Sequence, residues 1–428
     1  MMWPLTTLED PAFETINGLW KGKAEPFVRA KVIRNTNFRN DGILDFEDVA
    51  DLEVEARSLL KKKLVKGDII IERSGGGPKQ PVGRVCLFDI HTTDNFSLSN
   101  FTTALRILDR KRFLPRFVCY YLLYLYRSGY TENLQRATTG IRNLDFSSYL
   151  KTEIPVPDLD EQIKISSILW KIQQAIAVET DLIRVSRELK AAVMRKLFTA
   201  GLNGEAQKET EIGLLPVSWE IKELREFVTI KSGGTPSREK PEYWNGGTIP
   251  WVKTGEVNYC IIEDTGEYIT ELGMENSAAK IFPKGTVLMA MYGQGVTRAK
   301  VALLGLDATT NQACAAIFPD SSVSSVFLYH FLEYQYEKIR EMGHGANQKN
   351  LNTDIIKAIK CPVPQPDEQT KIAKYLDVLN ADLTVREKKS DALKDLFQST
   401  LAKLMSGTIC LTDFDIDTTC LESQGAAA

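Results

Sequence analysis

The residues of this chain best able to do chemistry are polar groups set in glycine loops. Ser74 to Lys79 reads SGGGPK and is followed by Arg84; Thr139 to Asn143 reads TGIRN. Later, Tyr292 to Arg298 reads YGQGVTR, Asn311 to Cys314 reads NQAC, and His344 to Asn352 reads HGANQKNLN. Amides and cations at this density bond phosphates and base edges, and Asn or Gln pairs well with adenine. Catalytic spacings are missing. No Gly-x4-Gly-Lys-Ser/Thr loop, no His-Glu-x-x-His and no paired Cys-x-x-Cys occurs. SGGG and GGT lack the glycine spacing of a dinucleotide fingerprint. No Asn-Pro-Pro-aromatic or Asp-Pro-Pro-aromatic string is present to position an adenine amino group. Asp158, Glu188 and Lys190 could be forced into a nuclease set, but two residues apart on a helix point in different directions. With only His91, His330 and His344, a histidine-rich metal site is nearly excluded. No catalytic residue and no metal ligand is nominated.

What must position these loops is written twice. Ile154 to Leu169 reads IPVPDLDEQIKISSIL, and Cys361 to Leu376 reads CPVPQPDEQTKIAKYL. At a constant offset of 207, Pro155, Val156, Pro157, Asp160, Glu161, Gln162, Lys164, Ile165 and Leu169 recur. Asn143-Leu144 returns as Asn350-Leu351 at the same offset. A fainter echo links the blocks between: Trp3 and Leu8 with Trp219 and Leu224, and Lys66-Gly67 with Lys284-Gly285. Repeats of this kind imply tandem duplication, with blocks that diverged and connectors that did not.

After each Pro-Val-Pro the apolar residues fall at coiled-coil spacing. Ile165, Ile172 and Val193 take one heptad position, and Ile168, Ala175, Leu182 and Leu189 the other; Ile372, Leu379, Leu393, Leu383 and Leu404 follow in the second copy. The spacing predicts two helices of roughly 37 residues, about 55 Å each, capped by Asp160 and Asp367. Glu179 falls in the seam, and its mate at the same offset is Arg386. An antiparallel alignment predicts a Glu179–Arg386 contact that fixes register.

Composition adds limits. The 428 residues are 43% hydrophobic and 25% charged, as in globular proteins. The longest apolar run, about eight residues near Cys119 to Tyr126, is far short of the roughly 20 a membrane helix needs. The start of the chain shows no basic-then-apolar secretory signal. Seven cysteines without short spacings suit reduced thiols in a cytoplasm. The net charge of −3 divides unevenly: +4 over residues 1–153, zero over 154–209, −3 over 210–360 and −4 over 361–428. Lys61, Lys62, Lys63 and Lys66, and again Arg106, Arg110, Lys111, Arg112 and Arg116, bunch in the positive block; a solvated helix face is the commoner meaning, a phosphate-facing patch the sharper one.

The duplicated Pro-Val-Pro…Asp-Glu-Gln…Lys-Ile segments, with SGGTP…YW…IPW, AMYGQG, NQAC and NLN, resemble the specificity subunit of type I restriction–modification systems. The likeness runs to about Thr408 and is closer in the second block, since the first lacks SGGTP and IPW. It implies an α+β fold: two globular target-recognition domains, 1–153 and 210–360, separated by two long helices, 154–209 and 361–409, that form an antiparallel coiled coil with a pseudo-twofold internal duplication. Residues 410–428 would be a disordered tail. Each domain would read half of a split, asymmetric DNA sequence. The helices would set the spacing and dock two modification (methyltransferase) subunits, joined by restriction (translocase/nuclease) subunits. Double-stranded DNA is thus the implied ligand, with no membrane. The chain itself would hold no cofactor, S-adenosylmethionine, ATP and Mg belonging to its partners. Candidate DNA contacts are Ser74, Lys79, Arg84, Arg136, Arg142 and Asn143 in the first block. In the second they are Lys253, Tyr292, Gln294, Arg298, Asn347, Gln348, Lys349 and Asn350. The Trp and Gly residues of the SGGTP stretch suit a framework better than readout. The rival reading is a duplicated coiled-coil scaffold that binds proteins rather than DNA.

Overall fold

A computed structural model describes residues 3–19, 25–77, 80–138, 141–293, 296–342, 350–411 and 414–419. The two repeated segments are helices, Leu159–Ala200 and Pro366–Met405, of 42 and 40 residues. Both exceed the 37 expected: each starts ahead of its expected cap and runs on, to Ala200 in the first copy and Met405 in the second. Asp158, not Asp160, accepts the amide of Glu161 at 2.8 Å, which leaves Asp160 and Glu161 as first-turn acids that suit the helix dipole. In the second copy Pro366 takes the first helical position, where its missing N–H costs nothing, and Asp367 follows it.

The chain folds as two compact units: residues 1–180 with 388–428, and residues 181–387. The divisions at 180/181 and 387/388 fall inside the long helices rather than at the proline-flanked boundaries, because each globular block packs on half of each helix. In the first unit Phe113, Phe117, Leu122 and Tyr149 share one core with Ile165, Leu169 and Ile176 of the first helix and with Phe397, Leu401 and Leu404 of the second. In the second unit Trp219, Phe327 and Phe331 share a core with Met194, Leu197 and Phe198 and with Ile372 and Leu376. Within each unit the start of one long helix lies beside the end of the other. Glu161 is bonded by the Leu411 amide in one unit, and Glu368 by the Leu202 amide in the other. The pair is antiparallel. Leu411, in the stretch expected to be disordered, is buried in the first core.

The blocks share a topology that their sequences barely show. In the first unit four antiparallel strands run in the order Phe13–Asn17, Thr102–Ile107, Asp68–Glu72, Val85–Phe88. In the second, Val228–Ser232, Cys314–Pro319, Val287–Ala290 and Val301–Leu304 repeat this order, with Ile261–Ile262 added in parallel at the edge. Both central strands, Asp68–Glu72 and Val287–Ala290, are buried at every residue. Each unit also has a three-stranded sheet of the same mixed pattern. Phe27–Ile33 pairs antiparallel with Ala50–Glu55 and parallel with Phe96–Leu98. Ile249–Val252 pairs antiparallel with Tyr268–Ile269 and parallel with Thr309–Thr310. A buried helix, Pro115–Arg127 or Ser325–Tyr334, links each block to the long helices.

One buried glutamine in each unit shows how deep the duplication goes. Gln162 accepts from the Leu114 amide and donates to the carbonyls of Arg112 and Pro157. Gln369 accepts from the Ser324 amide and donates to those of Ser322 and Pro364. The repeated Asp-Glu-Gln therefore ties the loop before each block's helix to the start of a long helix.

Candidate nucleic-acid interface

Strand ends in each block bring the candidate loops together. In the second unit the Leu351 amide donates to the Met291 carbonyl at 3.1 Å, and the Met291 amide to the Ala313 carbonyl at 2.8 Å. The Asn311 amide donates to the Val252 carbonyl, and the Thr254 hydroxyl to Asn311 Oδ1 at 3.0 Å. Asn350, Tyr292, Asn311, Gln312 and Lys253 thus stand on neighbouring segments at one edge of the block. Tyr292 is 41% exposed, and Asn350 is exposed as well. Lys253 opens a 3-10 turn, Thr254–Glu256, and its ammonium meets Glu267 at 2.7 Å. That Lys253 bond and a bond from Arg238 hold the Glu267 carboxyl below its ordinary range.

The first unit repeats this junction with other side chains. The Leu144 amide donates to the Arg73 carbonyl and the Arg73 amide to the Phe101 carbonyl, both at 2.8 Å. A 3-10 turn, Asn35–Asn37, follows the middle strand of the mixed sheet, and Arg34 stands where Lys253 stands. Ser74 and Asn143 are partners in strand register, as are Gly76 and Arg142, and Arg136 and Asn143. Arg136 pairs with Asp145, the cap of Phe146–Leu150. The hydroxyls of Ser147 and Ser148 are the main reason that the Asp145 carboxyl sits far below its ordinary range.

Two expected contacts are interior. Arg84 is 9% exposed and holds Glu72 in a two-pronged pair at 2.7 and 2.9 Å, while also donating to the carbonyls of Phe38 and Asn35. Burial opposes its charge, but the Glu72 bonds outweigh that and raise its pKa. This corrects the reading of Arg84 as a DNA contact: Glu72 sits on a central strand, so its charge needs a cation inside the fold. Arg298 is 8% exposed and donates to the Arg340 carbonyl at 3.4 Å, so its surface role is also withdrawn. Lys79, Gln294, Asn347, Gln348 and Lys349 lie outside the described residues.

The arginine bunch is likewise spent on the fold. Arg106 binds Asp68, Arg112 binds Asp10, Arg116 binds Asp89, and Arg110 donates to the Lys66 carbonyl. In the SGGTP stretch, a Cβ on Gly233 would lie 2.0 Å from the Thr310 carbonyl oxygen. Trp251 is buried and donates to the Gly234 carbonyl, and Arg238 stacks 3.6 Å from the Trp244 ring. These residues build the edge. Glu179, 2% exposed, is paired with Lys389 at 2.7 Å in the first unit. In the second, Arg386 binds Asp382 at 2.8 Å.

Sequence reasoning missed Arg34, Asn35 and Arg73, and quoted Asn311 and Gln312 without nominating them. The Lys66-Gly67 and Lys284-Gly285 echo, offset by 218, carries Ser74 onto Tyr292. Extended upstream, it brings Arg34 to within one residue of Lys253. Among the described residues no group of His, Cys, Asp and Glu could hold a metal ion, and no helix is long and apolar enough to cross a membrane.

Asn350→Ala is expected to weaken binding to the cognate sequence by about 1–3 kcal/mol and to relax one base position. Binding across a panel of single-base variants checks this; an equal loss on every sequence would mean a phosphate contact.

The chain matches the family described as type I restriction modification DNA specificity domain twice, over residues 11–185 and 216–395. It is 30% identical over 209 residues to the type I restriction enzyme MjaIX specificity subunit of Methanocaldococcus jannaschii, a match spanning 47% of each chain. With the EcoR124I/EcoR124II specificity subunit of Escherichia coli it shares 23% identity over 341 residues, 74% of this chain and 80% of the other. Among solved structures, the S subunit of the type I restriction-modification system from M. genitalium superposes with a TM-score of 0.63. That alignment has 21% identity and covers 94% of this chain and 96% of that one, a likeness of fold.

Proposed function

From this chain's membership of the type I restriction modification DNA specificity family, we propose that it is the non-catalytic subunit through which a restriction–modification complex selects its DNA. Each block reads one half of a split, asymmetric target. One observation carries this reading: the same junction of strand ends occurs in both units and bears different side chains. Arg34, Ser74 and Asn143 in one answer to Lys253, Tyr292 and Asn350 in the other. A shared frame with unlike groups is what two readers of different base sequences need. Protein scaffolding would give no reason for the amides and cations to gather at this edge in both copies.

The long helices set the distance between half-sites and present two equivalent surfaces to two methyltransferase subunits. That equivalence accounts for the connectors' likeness: both must fit the same partner. S-adenosylmethionine, and the ATP and Mg of a translocating restriction subunit, belong to those partners. The register role of Glu179 and Arg386 is part of the same proposal; a charge reversal at Glu179 that a reversal at Arg386 fails to rescue would refute it.

The deciding experiment is methylome sequencing of cells that express the chain with its partner subunits. A split motif with adenine methylated on both halves is expected. Exchange of residues 1–153 for another block should change one half and keep the other. A motif indifferent to that exchange would overturn the proposal.

A further inference from the structure

Arg73 carries a charge that the first unit leaves without an answer. Arg84, Arg106, Arg112 and Arg116 each hold a carboxylate of the fold. Arg73 instead spends one nitrogen, Nη1, on two neutral acceptors, Asn17 Oδ1 at 3.1 Å and the Thr103 hydroxyl at 3.4 Å. Burial acts on the guanidinium with no carboxylate to offset it, and pushes its pKa down. Its Nε and Nη2 make no hydrogen bond among the described residues, yet neither is closed to solvent. The group lies 4.6 Å from the centre of the Phe146 ring, a stacking contact that holds its plane.

Arg73 lines a pocket of about 430 Å³ with Arg136, Asp145, Phe146 and Ser147. The carboxylate on its wall is already satisfied: Asp145 takes bonds from Arg136 and from the hydroxyls of Ser147 and Ser148. Two guanidinium groups against one carboxylate leave the pocket a single positive charge. The pocket adjoins the reading junction. The Leu144 amide donates to the Arg73 carbonyl, Ser74 follows Arg73 in the chain, and Arg136 is the register partner of Asn143. The second unit builds the same junction without this cation. There the Leu351 amide meets the carbonyl of Met291, which is buried, and Asn352 replaces Asp145 as the cap of the next helix. The net charges of the two blocks, +4 and −3, differ in the same sense.

We propose that this pocket seats one backbone phosphate of the DNA half-site read by the first unit, with Arg73 donating to it through Nε and Nη2. Those two donors share one edge of the guanidinium and match two oxygens of a phosphodiester. A contact of this kind fixes the block's register on the duplex and carries no base information. The inference rests on the DNA-reading function proposed above and adds an anchoring residue, one that the second unit replaces with Met291.

Methylphosphonate linkages, which remove the charge of one phosphate, test it on the parent protein. The full chain assembled with its partner subunits is bound to duplexes of its own target, each with one linkage neutralised in the half-site read by residues 1–153. One such linkage should weaken the parent about eightfold in about 0.1 M salt, the effect of one counterion released. The same linkage should leave Arg73→Met unaffected. Arg73→Met should bind every sequence more weakly by the same factor and lower the slope of log affinity against log salt by about 1, whereas Arg73→Lys keeps the slope. The proposal is overturned if no linkage distinguishes the parent from Arg73→Met, if Arg73→Met keeps the parent's slope, or if it relaxes one base position. Loss of the methyltransferase subunits from Arg73→Met at an unchanged slope would also overturn it, by placing a partner's carboxylate in the pocket. Binding indifferent to the sequence of that half-site altogether would overturn the underlying function, a result distinct from indifference to one phosphate.

Discussion

Arg84→Ala is expected to destabilise the unit formed by residues 1–180 and 388–428 by about 3–5 kcal/mol and to leave the recognised sequence unchanged. The reason lies in Glu72, 1% exposed on a central strand and bonded by both prongs of the Arg84 fork. Removing the guanidinium strands a carboxylate where water cannot reach it, and it also takes the bonded cation from the Phe38 carbonyl. A control separates charge from packing. Arg84→Met combined with Glu72→Leu removes both charges at similar volume and should recover most of the loss, since a buried pair replaced as a whole is close to neutral. Urea melts give the stabilities, and methylome sequencing of surviving protein gives the motif. A stable Arg84→Ala protein with a changed motif would restore Arg84 to the DNA surface.

Glu368→Ala should cost the second unit about 2–6 kcal/mol, on the basis of roughly 1–3 kcal/mol for each of two buried donors left without an acceptor. Glu368 receives the Trp219 indole N–H at 3.0 Å and the Leu202 amide at 2.8 Å, and Trp219 is fully buried. Its repeat mate Glu161 receives the Trp3 indole at 2.9 Å, but its other donors are the weak Cys410 thiol at 3.2 Å and the Leu411 amide at 3.4 Å, and Trp3 is partly exposed. Glu161→Ala should therefore cost less, and should act on the first unit. Glu368→Gln keeps one acceptor and should fall between Glu368→Ala and the parent. Denaturant unfolding followed by far-ultraviolet circular dichroism, which reports both units, checks the order. A larger loss from Glu161→Ala than from Glu368→Ala would show that these bonds do not set the stability.

The helices, their antiparallel pairing and the duplicated plan were legible because the 207-residue offset and the heptads are local patterns that survive in linear text. The mixed sheets were hidden, since equivalent strands such as Phe27–Ile33 and Ile249–Val252 share almost no residues. Only their pairing directions agree. The candidate edge was half visible. Ser74, Tyr292, Asn143 and Asn350 lie in glycine-marked or repeated loops, whereas Arg34 and Asn35 follow a strand with no marker. The error at Arg84 had a plain cause: a string of letters shows a cation but not that Glu72, twelve residues earlier, lies beside it in an antiparallel neighbour strand. Asp68, Asp10 and Asp89 disarmed the arginine bunch in the same way.

The composition of the first unit from two distant stretches bears on the order of assembly during synthesis. Residues 181–387 form a continuous stretch and can close their core as soon as they have emerged. Residues 1–180 emerge first yet cannot finish, because Phe397, Leu401 and Leu404 fill their core and arrive almost last. The earlier-made half therefore waits, with apolar surface open, for over 200 residues of translation, about 10–40 s at 5–20 residues per second. The half made second is the first able to complete its fold, and the nascent first half is the natural client for a chaperone.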